Sequence, residues 1–166
     1  MVATLVRAVR DSGVIAPASI SRETPGLAHG AQRPADILLR DFDGLGRHVA
    51  MDVGITSPFS NSALSAGSHQ RPGSTASAYE QNKIRAVLGV GAALHRTWRF
   101  IPFIIEDGGR LGAHAAAFLS ELARRQRGPA TTSSGLRISV RLLLYQRLSS
   151  VVHHAAACAA LFPAGI

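Results

Sequence analysis

Between Ala35 and Thr56 two β-prone runs flank a segment built for turning, and this arrangement restricts the fold more than any other stretch. Pro34 leads into Ala35-Asp36-Ile37-Leu38-Leu39, the turn is Asp41-Phe42-Asp43-Gly44-Leu45-Gly46, and the second run is His48 to Thr56. Asp and Gly supply turn backbone, so the expectation is a strand, a tight turn and a returning antiparallel strand. Such a pair brings Asp36 and Asp52 near each other, with the register left open. Asp52 stands inside the apolar run Val49-Ala50-Met51-Asp52-Val53. A carboxylate there is costly without a cation beside it.

The remaining elements follow from periodicity. Val2, Leu5, Val6 and Val9 recur at helical spacing and predict a first helix closed by Ser12-Gly13. Val14 to Glu23 reads as an irregular strand interrupted by Pro17, followed by a turn-rich loop to Gln32. Ser57 to Ser77 is small and polar and predicts a mobile surface loop. A helix is expected from about Ala76 to His95, with Tyr79, Lys83 and Val87 on one side, then a buried strand over Arg99 to Ile105 and a helix from Gly112 to Arg125. Thr131 to Gly135 reads as a linker before a helix over Leu136 to Leu161 that aligns Arg137, Arg141 and Tyr145. The expected order is α-β-β-β-α-β-α-α, an α/β (α+β) chain with a small mixed sheet flanked by helices. Residues 1–128 would form one domain and 129–166 a basic helical extension.

Composition narrows the partners. The 166 residues suit one domain, and no run approaches the roughly 20 apolar residues of a membrane span, so no membrane partner is expected. Cys158 is the sole cysteine, which removes internal disulfides and cysteine-rich zinc sites and suits a reducing, intracellular setting. Residues 1–83 hold eight basic and seven acidic groups, whereas 84–166 hold ten arginines against Glu106, Asp107 and Glu121. The second half thus suits a polyanion. An arginine- and alanine-rich chain is also what a GC-rich genome yields, and both explanations stand at this level. Lys83 is the only lysine.

Two aspartates on a hairpin, a main-chain carbonyl and a lysine on the next helix are a set of groups suited to phosphodiester hydrolysis. Magnesium and manganese favour oxygen ligands, and Asp36, Asp52 and the Val53 carbonyl would supply them while leaving room for water and phosphate. Lys83 would orient the nucleophile or balance developing negative charge. Each residue taken singly also reads as an ordinary turn or edge charge.

The same residues carry a resemblance. Arg33-Pro34-Ala35-Asp36, then Met51-Asp52-Val53 with Thr56-Ser57-Pro58, then Tyr79-Glu80 and Lys83, then Phe100-Ile101-Pro102, Glu106 and Leu111-Gly112 resemble the restriction-endonuclease-like domain of non-LTR retrotransposon reverse-transcriptase proteins. More distantly they are similar to the PD-(D/E)XK nuclease superfamily, whose core order is α-β-β-β-α-β. The resemblance implies a metal-dependent endonuclease that nicks DNA, with Asp36 and Asp52 as metal-binding acids, magnesium or manganese as cofactor and no organic cofactor. It also implies a nuclear setting. Gly54 stands where the superfamily usually has its lysine, and related retroelement domains carry that lysine on the following helix, the place of Lys83. Ala35 separates Pro34 from Asp36, a further departure from the pattern.

Accessory expectations are weaker in their chemistry. Glu23 would be an additional metal-shell acid or a turn-opening charge, and Glu80 an active-site acid or a helix-surface partner of Lys83. Glu106 would pair with Arg99 or Arg110. Arg33, Arg85, Arg137 and Arg141 are the expected phosphate contacts, and Trp98 and Phe100 would either stack on bases or anchor the core. Two alternatives to an enzyme remain: a catalytically inactive nucleic-acid-binding remnant, and an interaction module whose alanine-rich helices pack on a partner.

Overall fold

The computed structural model describes residues 1–22, 35–89, 98–125, 130–131, 137–138, 146, 148–150 and 153. Helix α1 (Val2–Asp11) buries Leu5, Val6, Ala8 and Val9. Strand β1 (Ile20–Arg22) follows a single 3-10 turn at Pro17–Ser19. The expected irregular strand is therefore short, because Pro17 fixes a helical turn where pairing would have begun. Strands β2 (Ile37–Leu39) and β3 (His48–Thr56) are joined by the anticipated turn. Gly44 and Gly46 take left-handed backbone there, at φ 72° and 78°. The Asp41 and Asp43 carboxylates accept the N–H groups of Gly46 and Leu45 at 2.7 and 2.9 Å, which closes the turn from within.

Chain direction then reverses through α2 (Asn61–Ser65) and α3 (Ser74–Gly89) before β4 (Trp98–Glu106) and α4 (Ala113–Arg125). The expected loop over Ser57 to Ser77 is corrected here: it contains α2, a 3-10 turn at Ser68–Gln70 and the start of α3. Ser60 begins α2 by accepting the Ala63 N–H, a local cap that a polar composition hides.

The main sheet has the order β1-β2-β3-β4. β1 with β2 and β2 with β3 run antiparallel, with Ile37 opposite Met51 and Leu39 opposite Val49. β3 and β4 run parallel over their full length, Asp52 facing Pro102 and Thr56 facing Glu106. A parallel pair requires a long crossover, here the segment that includes α2 and α3. The protein is thus a mixed α/β structure with a four-stranded mixed sheet flanked by helices. Among the described residues no helix is long and apolar enough to cross a membrane.

Alternation along the strands divides the sheet into two faces. Val49, Met51, Ile101, Phe103 and Ile105 join α1 and α4 in the principal core, where Phe118, Leu119 and Leu122 are essentially fully buried. Ala50, with Ala35 and Leu38, forms a smaller cluster on the other face, against which Trp98 and Phe100 pack. The Trp98 ring also lies 4.6 Å from the His48 ring. Trp98 and Phe100 therefore serve packing, the second of the two roles expected for them.

A separate two-stranded sheet pairs β5 (Ala130–Thr131) with β6 (Arg137–Ile138). This corrects the helix expected to begin at Leu136: Arg137 lies in a strand and does not share a helical face with Arg141 and Tyr145, which fall outside the described residues. Pairing of Arg137 and Ile138 with Thr131 and Ala130 competes here with a helical sequence pattern weakened by the β-branched Val140. Helix is present farther on, at Gln146 and Leu148–Ser150, and Leu148 is 2% exposed within the principal core. Burial of that side chain ties the C-terminal segment to the sheet. Leu148→Ala is expected to lower the unfolding free energy in urea by about 3 kcal/mol, and a change below about 0.5 kcal/mol would show that the segment does not share the core.

Candidate functional site

The site forms where β2 ends and β3 continues. The Asp36 N–H donates to the Met51 carbonyl at 2.8 Å, the last main-chain bond of the pair. Two residues farther along β3, the Asp36 side chain makes the next bond: its Oδ2 accepts the Val53 N–H at 2.8 Å. A carboxylate accepting a main-chain N–H is among the stronger hydrogen bonds, worth roughly 1.5–3 kcal/mol. In an extended strand the N–H and C=O of one residue point to the same edge, so the Val53 carbonyl shares this open edge with Asp36.

Asp52 projects to the opposite face from Met51 and Val53, toward α3. Lys83 reaches it from that helix, with Nζ 2.8 Å from Oδ2; the side chains are 33% exposed for Lys83 and 17% for Asp52. Burial pushes the Asp52 carboxyl above the usual aspartate range, Lys83 opposes that rise and the nearby Asp36 charge adds to it. For Lys83, burial acts downward but the bond and charge of Asp52 outweigh it, and its affinity for a proton rises. Tyr79 and Asp36 contribute in the same direction, and the ammonium lies 5.7 Å from the centre of the Tyr79 ring. Asp36, Asp52 and Lys83 are therefore one electrostatic group.

Gly54 leaves room for α3 to pack against the sheet beside Asp52. A Cβ at that position would lie 3.0 Å from both Ile104 Cδ1 and Tyr79 Cε1, so a side chain would have to move one of them. The strand gives up its own side chain two residues after Asp52, and the Tyr79 ring occupies the space.

Glu80 has a different role from either one expected. It is 2% exposed and turned away from solvent, with Oε1 accepting the His114 N–H at 3.0 Å and Oε2 3.1 Å from His114 Nδ1. It closes the N-terminus of α4, whose first turn carries no acidic residue. Gly112 permits this, because a Cβ there would collide with the Glu80 carboxylate. Glu106 repeats the device at α3: it accepts the Ala76 N–H at 3.3 Å and lies 3.6 Å from Arg110 Nε, the second of its two expected partners. Neither capping role has a local sequence signal. The glutamates act on helix ends about 30 residues away, and the hint is two helices that begin without an acid.

Arg85 is exposed on α3. Glu23, Arg33 and Arg141 lie outside the described residues, and of Arg137 only its place in β6 is described. The second-half arginines are partly committed within the fold: Arg99 and Arg125 bond Glu121 at 2.7 and 2.8 Å, and the Arg125 guanidinium sits 4.6 Å from the Phe42 ring centre. Among the described residues no group of three or more His, Cys, Asp or Glu side chains converges as a metal cage. Any cation at the site would rest on Asp36, Asp52 and main-chain oxygen. These are hard oxygen donors, the class that magnesium and manganese favour, and Asp52 among them is already paired with Lys83.

Comparisons with protein-family models, with curated proteins and with solved structures found no match to this chain.

The ion pair makes a quantitative expectation. Lys83→Met leaves Asp52 ionising in a partly buried place beside Asp36, which raises its folded-state pKa further. A folded state that holds the proton more tightly loses stability as pH rises from the unfolded aspartate value through the folded one. The variant should therefore match the wild type near pH 3 and be less stable by about 1 kcal/mol at neutral pH. Combining it with Asp52→Asn should restore most of that loss, as read from a double-mutant cycle in urea. Additive losses would show that the two side chains do not interact.

Proposed function

We propose that this chain is a metal-dependent endonuclease-like domain of retroelement origin that hydrolyses phosphodiester bonds in DNA. The observation that carries the reading is the meeting of Asp36, Asp52 and Lys83 at the place where β3 outruns β2. Support also comes from the element order: a helix, three antiparallel strands, a helical crossover and a parallel fourth strand. The restriction-endonuclease-like resemblance of the short motifs around the same residues is the remaining support for this reading.

Asp36, Asp52 and the Val53 carbonyl would hold magnesium or manganese, which supplies charge neutralisation at the phosphate and a more acidic water. The protein's own groups set the geometry. The bond from Val53 fixes the Asp36 carboxylate against the strand, and the ion pair with Lys83 fixes the largely buried Asp52 carboxylate. Lys83, fully charged at neutral pH, is the group that would meet a phosphate oxygen and offset charge developing there. The excess of arginine over acid in residues 84–166 favours the nucleic-acid backbone in a sequence-independent way.

A second reading is favoured by the small number of acidic ligands. With two carboxylates and one of them already paired to Lys83, the fold also suits a nucleic-acid-binding remnant that no longer cleaves.

Cleavage of supercoiled plasmid separates the two. The endonuclease reading predicts nicking with magnesium or manganese at low salt, none with chelator, and none by Asp52→Ala. Lys83→Met should slow nicking by about 100-fold while leaving DNA retardation on a gel intact. Equal nicking by wild type and Asp52→Ala would contradict the assigned site. Retardation without nicking in every metal would favour the remnant.

A further inference from the structure

A cleft of about 340 Å³ has Tyr79 in its wall, the residue whose ring centre lies 5.7 Å from the Lys83 ammonium, and hydroxyl and amide side chains supply most of its polar groups. Thr56 comes from β3, on the same face as Asp52. Ser60 and Ser62 come from the start of α2, and Thr75, Tyr79 and Asn82 from α3. No charged side chain lines it, although the chain carries a net charge of +8. The Thr75 hydroxyl oxygen is shielded from solvent and has no hydrogen-bond partner among the described residues. Tyr79 is shared: one part of its ring meets the space left by Gly54 near Asp52, Lys83 sits over it, and the cleft opens beside it. Residue 59, just before Ser60, is a phenylalanine 73% exposed, and Tyr79 itself is 36% exposed.

Hydroxyl and amide groups without charge do not hold a phosphate tightly, but they suit sugar oxygens and the polar edges of a base. An exposed aromatic ring at the wall offers a stacking face that any base can use. A space of this volume lies near the low end of small-ligand pockets, about 300–1,000 Å³, and cannot admit a duplex. We propose that the cleft is a nucleotide subsite, which takes the sugar and the unstacked base of the nucleotide next to the phosphate held at Asp52 and Lys83. The proposal rests on the reading of that pair as a phosphodiester site and extends it by naming the substrate form: a strand that is single, frayed or opened at the point of contact. Tyr79 stacks on the base, Asn82 and the Ser60–Ser62 hydroxyls hydrogen-bond to its edge and sugar, and Thr56 carries the wall back toward Asp52.

The test is fluorescence anisotropy with a labelled ten-nucleotide oligothymidylate and a labelled ten-base-pair duplex, at one fixed salt concentration and in chelator. The full chain should bind the single strand more tightly than the duplex. Tyr79→Ala should weaken single-strand binding about tenfold with little effect on the duplex, and Tyr79→Phe should restore it. Because Tyr79 also packs on β3, a second variant acts without removing any contact: Ala78→Phe, at an exposed helical position on the cleft wall, should narrow the cleft and weaken single-strand binding selectively. Equal binding of both probes, or losses in Tyr79→Ala that are the same for both, would overturn the subsite. Plasmid nicking separates this failure from that of the parent reading: nicking with no Tyr79-dependent preference removes the subsite alone, whereas a Tyr79-dependent preference without nicking supports the subsite in a binding protein.

Discussion

The mismatch in length between β2 and β3 governs the candidate site. β2 pairs over three residues and β3 runs for nine, so among the described residues no strand pairs with the β2 side of β3 beyond Met51. An exposed row of main-chain N–H and C=O groups is ordinarily a liability. Here the Asp36 side chain accepts the Val53 N–H and is fixed by it at that edge. The opposite side of β3 stays paired with β4 along its full length, which keeps Asp52 and Gly54 directed to α3. The position of Asp36 is thus a consequence of where β2 begins, and that of Asp52 of the alternation along β3.

The helices on the sheet are held by a second repeated device. α3 and α4 begin without an acid in the first turn, and buried glutamates from other elements supply the negative end: Glu106 from β4 for α3 and Glu80 from α3 for α4. The consequence for the site is direct. Lys83 and Tyr79 are carried by α3, and α3 is pinned at its start by Glu106 and to α4 by Glu80, so the lysine approaches Asp52 from a fixed support. Gly54 and Gly112 belong to the same construction, each leaving out a side chain where another group must enter.

Much of this was legible in the sequence because it is local. Turn chemistry at Asp41 to Gly46 announces the reversal between β2 and β3, the stripe at Val2, Leu5, Val6 and Val9 announces α1, and a carboxylate within Val49–Val53 announces a need for a cation. What was not legible is long-range or masked by composition. The register that puts Ile37 opposite Met51 depends on pairing across the sheet, and it alone decides that Asp36 meets Val53. The capping glutamates reach helix ends far along the chain, so Glu80 reads as a surface partner of Lys83 when only spacing is considered. Serine- and alanine-rich segments misled in both directions: residues 57–77 hold short helices, and Arg137 lies in a strand.

The central claim is that Asp36, Asp52 and the edge of β3 hold a divalent cation. It is tested most directly by adding manganese, in amounts well below the protein concentration, to isotopically labelled chain and recording amide spectra, since the paramagnetic ion broadens the nearest signals. The account predicts that Asp52 and Val53 broaden first and that Asp52→Asn abolishes the effect while leaving the other signals in place. Broadening that is spread over exposed acids such as Asp11 and Asp41, or that persists unchanged in Asp52→Asn, would contradict it.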